Sequence, residues 1–200
     1  MPMSRVVSRS ARAVPSCLGE AFEPVLAAAR TGEGWAAERL WRSLAPAVAG
    51  YLRAQGSPEP DDLTSEVFLG VFRTIGSFSG DEAGFRSWVF TIAHRRLVDE
   101  RRRARRRPPP SALTPAGIDR PSDRSAEHEA LRRLGTERVR DLCERLAPDQ
   151  RDVLLLRLVG GLTVEEVARS LGKSQGAVKA LQRRALGALR RNVEREGVPL

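Results

Sequence analysis

Two hundred residues with a formal net charge of +9 and a pI near 11.1 make a strongly basic chain with room for one or two modest domains. No apolar run is long enough to span a bilayer, so a soluble protein is expected. Cys17 and Cys143 are isolated thiols with only His94 and His128 as other soft ligands, which argues against a disulfide framework or a zinc site and fits a reducing cytoplasm.

Residues 1–19 are rich in Ser, Arg and Ala with no acid before Glu20, and read as a disordered extension. From residue 20 to 107 the pattern is helical throughout. A first helix is expected over Phe22 to Arg30 and a second over Trp35 to Ala54, where Ala36, Leu40, Leu44, Ala47 and Val48 recur near helical spacing and Pro46 threatens a kink. A third carries Asp61 and Asp62 at its start, a row of Leu63, Val67, Val71 and Ile75, and Gly76 at its close. Phe68 and Phe72 broaden that row as core. After a loop from Ser77 to Gly84, a long helix from about Phe85 to Arg106 buries Phe85, Trp88, Val89, Ile92, Ala93 and Leu97 and then runs into the arginine block 101–107. That block is either a solvated tail or a phosphate-tracking surface, and the nearby Phe78, Phe85 and Trp88 suit unstacked bases.

Residues 108–130, with Pro108-Pro109-Pro110 and few apolar positions, read as a flexible linker. Beyond it, residues 131–196 form a second helical domain and 197–200 a tail. Thr163 followed by Glu166 makes a capping box, Val164, Val167, Ala168 and Leu171 form one apolar stripe, and Gly172 ends the helix. Ser174 caps the next helix, expected from Gln175 to about Arg191, with Val178, Leu181, Ala185 and Leu189 inward and Lys179, Arg183, Arg184 and Arg190 on its surface. Helix, glycine turn and basic helix is the helix-turn-helix pattern, whose second helix enters the major groove; an amphipathic hairpin with a solvated basic face is the competing reading. The basic balance favours DNA. Only Lys173 and Lys179 among the 34 basic residues are lysine, and arginine's planar fork suits phosphate and guanine, although a GC-rich coding sequence also favours it. The expected fold is all-α: two small helical domains joined by a flexible linker, the C-terminal one a helix-turn-helix.

Two blocks carry a resemblance. Pro60-Asp61-Asp62-Leu63-Thr64-Ser65-Glu66-Val67-Phe68-Leu69-Gly70-Val71-Phe72, with Phe85-Arg86-Ser87-Trp88-Val89-Phe90-Thr91-Ile92-Ala93-His94 and Asp99-Glu100-Arg101-Arg102-Arg103, resembles region 2 of the sigma-70 family. Leu146-Ala147-Pro148-Asp149-Gln150-Arg151-Asp152-Val153, with Gly161-Leu162-Thr163-Val164-Glu165-Glu166-Val167-Ala168 and Gly176-Ala177-Val178-Lys179, resembles region 4. With no room for a third domain, the chain is most similar to the extracytoplasmic-function (ECF) group.

The resemblance implies a cytoplasmic initiation factor, not an enzyme, with no cofactor, no metal and no catalytic residue. Its implied partners are core RNA polymerase and promoter DNA, duplex and melted, with an anti-sigma factor as a candidate regulator. Asp61, Asp62, Ser65 and Glu66 would face core polymerase, with Ser65 where glutamine is frequent. Ser77, Phe78, Ser79, His94, Arg95, Arg96 and Arg102 would contact the minus-10 element, with Arg95 where asparagine is common. Thr163, Gln175, Lys179, Ala180, Arg183 and Arg184 would contact the minus-35 element. The linker acids Asp119, Asp123, Glu127 and Glu129 could mimic RNA phosphate or serve only solubility. The competing function is a stand-alone helix-turn-helix regulator with a helical dimerisation or sensor domain at residues 20–107. A nucleic-acid-processing enzyme with magnesium held by Asp61, Asp62 and Glu66 lacks carboxylates from a second element and the rest of a catalytic site.

Overall fold

The computed structural model describes residues 18–106 and 141–195, with side chains to residue 192. The expected extension before residue 18, the linker with its four acids, the first ten residues of the expected second domain and the tail lie outside the described residues.

Among the described residues every regular element is a helix. After a short 3-10 turn at Gly19–Ala21, α1 covers Phe22–Arg30 and buries Phe22, Val25, Leu26 and Ala29, the i, i+3, i+4, i+7 stripe of an amphipathic helix. α2, Gly34–Ala54, runs unbroken through Pro46. That ring lies on the exposed side, where water can meet the carbonyl its missing N–H leaves. α3, Pro60–Thr74, begins with proline in its first turn, carries Asp61 and Asp62 there, and passes into a 3-10 turn at Ile75–Ser77.

α4, Glu82–Arg106, starts three residues before the expected Phe85. Asp81 supplies the reason: its carboxylate accepts the Gly84 N–H at 2.8 Å and its carbonyl accepts the Phe85 N–H at 2.9 Å, an N-cap inside what the sequence presents as loop.

Helical residues 141–144 lead into the second unit, made of α5 (Pro148–Leu158), α6 (Val164–Leu171) and α7 (Gln175–Arg195). Its local signals behave as expected. Thr163 and Glu166 close the capping box, Gly172 takes the left-handed conformation at φ 62°, and the Ser174 hydroxyl accepts the Ala177 N–H at 3.2 Å. In the first unit α2, α3 and α4 pack mutually, with α1 on α2; in the second, α7 packs on α5 and α6. Trp41 and Phe72 both lean on the buried Phe68, and Tyr51 meets Phe90 edge-on at 5.6 Å. A fully buried side chain of this size contributes about 1.5–3 kcal/mol.

The two units are not separate. α2 contacts α5, α4 contacts α6, and one apolar cluster runs from Phe22 through Phe90 to Leu156, Val167 and Leu181. The two helical domains expected from the sequence are thus present and in contact.

Candidate nucleic-acid interface

Three surfaces collect the residues singled out by the sequence. The first is the outer strip of α3. Asp61, Asp62, Ser65 and Glu66 are all exposed. They are not equally free: Arg53 reaches Asp61 at 2.6 Å, and the Ser65 hydroxyl donates to the Asp61 carbonyl at 3.1 Å. Asp62 and Glu66 therefore present the strip's less committed negative charge. One turn further, Leu69 is 57% exposed, an apolar side chain left in water beside the acids.

The second surface is an open groove of about 560 Å³ between α3 and α4, lined by Arg73, Thr74, Ser77, Trp88, Arg95, Arg96 and Asp99 among others. Trp88 stands in its wall, backed by two phenylalanines outside the lining. Phe78 stacks on Trp88 with centroids 5.2 Å apart and meets Phe85 edge-on at 5.3 Å. The loop bearing Phe78 and Ser79 is braced from outside: the Arg30 guanidinium of α1 donates to the Phe78 carbonyl, and Glu82 accepts the Leu18 and Gly19 N–H groups at 2.9 and 3.0 Å. At Gly80, φ is 148° and an added Cβ would stand 3.2 Å from Phe78 Cζ, so glycine is what lets the loop fold over that ring. Ser79, Arg95 and Arg102 are exposed, Arg96 is half-buried, and the Ser77 hydroxyl donates to the Thr74 carbonyl at 2.7 Å.

His94 departs from its expected place. Only 7% exposed, it bonds Tyr51 through Nδ1 at 2.9 Å. The Tyr51 oxygen also accepts from Gln55 Nε2 at 3.3 Å. In this arrangement His94 is an interior hydrogen-bond partner of Tyr51 and not the exposed side chain expected for a DNA contact, because its position on α4 turns it toward α2. Burial holds its pKa below the ordinary histidine value; Asp152 pulls the other way and Arg101 reinforces the lowering. Burial likewise pushes the Tyr51 hydroxyl far up.

The third surface is the exposed side of α7. Gln175, Lys179 and Arg183 fall at i, i+4 and i+8 on one stripe, with Arg184 beside it; all four are exposed and Ala180 between them is half-buried. Thr163 is exposed as well, but its oxygen is occupied by the Glu166 N–H at 3.2 Å, which gives it a structural role. Leu181, 8% exposed, belongs to the core. Among the described residues, no group of three or more His, Cys, Asp or Glu side chains is arranged to hold a metal ion, and no helix is long and apolar enough to cross a membrane.

Comparison with known proteins fits both halves of this layout. Residues 40–107 match Sigma-70 region 2, and residues 144–191 match Sigma-70, region 4. The ECF RNA polymerase sigma factor SigD of Mycobacterium tuberculosis is 31% identical over 186 residues, covering 90% of this chain and 87% of its own. The chain belongs to the sigma-70 family, in its ECF group. The ECF sigma factor BldN of Streptomyces coelicolor is 36% identical over 166 residues, which cover 82% of this chain, and the match spans 62% of BldN's length. The fold is also that of CnrH in a complex with the cytosolic domain of CnrY (TM-score 0.61, 24% identity, 86% of this chain and 96% of that one). A further likeness is the sigma factor RpoE bound to the anti-sigma factor NepR from Bartonella quintana (TM-score 0.56, 19% identity, 78% and 96%).

A sigma factor with regions 2 and 4 directs transcription initiation, and the family is one of DNA-binding factors rather than enzymes. Against that background, the residues to which the sequence assigned no role are Leu69, Arg73, Thr74 and Asp99, together with Arg30 and Glu82. Leu69, Arg73 and Thr74 sit on α3 outside its apolar row, and a helical-wheel count from Asp62 would have found Leu69. Arg30 and Glu82 act across the chain, on partners more than forty residues away, where no local pattern announces them.

Proposed function

We propose that this sigma factor, working in the cytoplasm and without catalysis of its own, docks on core RNA polymerase through α3. It reads the minus-35 element with α7 and holds the melted minus-10 strand in the groove between α3 and α4. The observation that carries this reading is the groove itself: an open, arginine-rimmed trough with Trp88 in its wall, beside a loop that Arg30 braces from α1. Arginines track the phosphates and the indole offers a face to an unstacked base. Asp99 on the same wall is a hydrogen-bond acceptor for an exocyclic amine.

On α7 the exposed stripe is suited to a major groove, with Arg183 or Arg184 bidentate to guanine and Lys179 on phosphate. On α3, Asp62, Glu66 and Leu69 combine charge with an exposed apolar anchor, as a protein partner requires. The same strip is a candidate surface for an anti-sigma factor. We assign residues 20–107 and 131–196 as the two functional units, joined by residues 108–130.

Mixing the purified chain with core polymerase and a promoter library tests the assignment. Selective initiation from promoters with a shared pair of elements is expected. Tight binding to duplex DNA without co-elution with core or any initiation would instead favour the stand-alone regulator.

A further inference from the structure

The backbone just before α1 is fastened at one definite place. Glu82, in the first turn of α4, accepts the Leu18 N–H with one carboxylate oxygen at 2.9 Å and the Gly19 N–H with the other at 3.0 Å. Two charge-assisted bonds from one carboxylate to consecutive amides fix both the position and the direction of the chain there. Leu18 packs its side chain against the apolar core, and Gly19, at φ 55°, takes a left-handed turn into the 3-10 segment before α1. Residues 1–17 therefore leave the folded body at the Glu82 clasp.

The clasp stands at one end of the groove between α3 and α4. Six residues of helix separate Glu82 from Trp88, about 9 Å at 1.5 Å per residue, and Arg95, Arg96 and Asp99 follow further along α4. Residues 1–17 contain Arg5, Arg9 and Arg12 and no acid, and fully extended they span at most about 60 Å. Three arginines against one acid line the groove, so like charge keeps this basic segment out of it; segment and groove favour the same polyanion. Asp62 and Glu66 are a rival partner within the chain, but they lie in the first half of α3, whereas Glu82 follows the loop beyond its other end.

We propose that residues 1–17 are a basic arm that follows the sugar-phosphate backbone of the melted promoter strand where it leaves the Trp88 end of the groove, an assignment that rests on the groove being the strand site. Glu82 fixes the arm's origin. Base recognition stays with the groove, and the arm adds affinity through phosphates whatever the sequence. Because its root is held within about two helical turns of Trp88, the phosphates next to a seated base meet the arm at high effective concentration.

Salt dependence tests the arm. The purified chain with core polymerase is titrated with a fluorescent single-stranded minus-10 oligonucleotide between about 50 and 200 mM salt. Replacing Arg5, Arg9 and Arg12 together by alanine should flatten the slope of log affinity against log salt by about 2, at about 0.7 per phosphate, so that the wild-type advantage shrinks roughly tenfold to twentyfold over that range. Replacing the same three by lysine should keep the slope, because a point charge serves a phosphate. The arm's place is read by carrying an iron-EDTA cleavage reagent on Cys17 in a Cys143→Ala background, with circular dichroism checking the fold of each variant. Cuts should cluster on one side of the minus-10 bases and spread along the strand when Glu82→Ala is added. An unchanged slope in the alanine variant, or a cutting pattern indifferent to Glu82, would overturn the arm. Tighter binding of core polymerase by the alanine variant, with the strand slope unchanged, would overturn it in favour of the Asp62 and Glu66 strip. Failure of the groove reading looks different: Trp88→Ala would leave strand affinity unchanged while the effect of the arginines on the slope could still be measured.

Discussion

The two surfaces proposed to read DNA are held in place by opposite means. Helix α7 is set by its neighbours in sequence: the Thr163–Glu166 box, the left-handed Gly172 and the Ser174 cap all lie within about a dozen residues of its start. The groove beside α4 is set by remote residues, with Arg30 tying the Phe78 loop to α1 and Glu82 tying the start of α4 to the Leu18 and Gly19 N–H groups. The difference teaches that a helix face can be built from local capping alone, whereas a groove between helices needs walls from several elements and braces behind them.

Perturbing each side should keep that contrast visible. The largest effect is expected from Trp88→Ala, which removes the indole from the groove wall. Affinity for a single-stranded minus-10 oligonucleotide, presented with core polymerase, should fall by about 1–3 kcal/mol, while duplex minus-35 binding is unchanged. An equal loss on both would show that Trp88 only supports the fold through Phe78.

Next, Arg184→Ala should cost about 1–3 kcal/mol of discrimination between matched and mismatched minus-35 sites. Competition binding against single-base substitutions would read this, and a uniform loss would move Arg184 to the phosphate class. Thr163→Ala removes a cap and should lower stability by about 1 kcal/mol in denaturant titration, with minus-10 strand binding unaffected at saturating protein. A drop in strand affinity there would mean that the two surfaces are energetically tied.

The smallest effect is a pH dependence. His94 is held below its ordinary pKa chiefly by burial, facing Tyr51 of α2, Asp152 of α5 and Arg101 of its own helix. The unfolded chain therefore takes up the proton first. Stability from this group is complete above about pH 6.5 and declines as pH falls below that value toward the folded pKa. Thermal midpoints between about pH 5 and 7.5 should show the decline, and His94→Gln, which can still hydrogen-bond Tyr51, should flatten it.

Legibility in the sequence follows the same divide. The helix-turn-helix could be read nearly residue by residue, since capping box, apolar stripe and glycine stop are each short-range signals. In the first unit, apolar periodicity located α1 to α3, but the start of α4 was misplaced because Asp81 looks like loop until its bonds to Gly84 and Phe85 are seen. His94 could not be assigned from pattern alone. A histidine next to two arginines on a basic helix suggests DNA, and only the meeting of α4 with Tyr51 turns it inward. The packing of one unit on the other had no sequence signal, since it depends on single polar residues such as Gln55, Thr91 and Asp152 that resemble ordinary surface positions.

The reach of Arg86 to the carbonyls of Val159 and Gly160 has a bearing on how the molecule can be cut. Those carbonyls end α5, and a guanidinium from the other half of the chain is what covers them. The dependence is lopsided: severed from its partner, the first half gives up contacts made by an arginine that water readily solvates. The second half gives up the finish of a helix and the Phe90 ring seated on Gly160. Modules that look interchangeable when laid end to end are unequal once folded, and a C-terminal fragment grafted elsewhere would need a replacement cation at the end of α5.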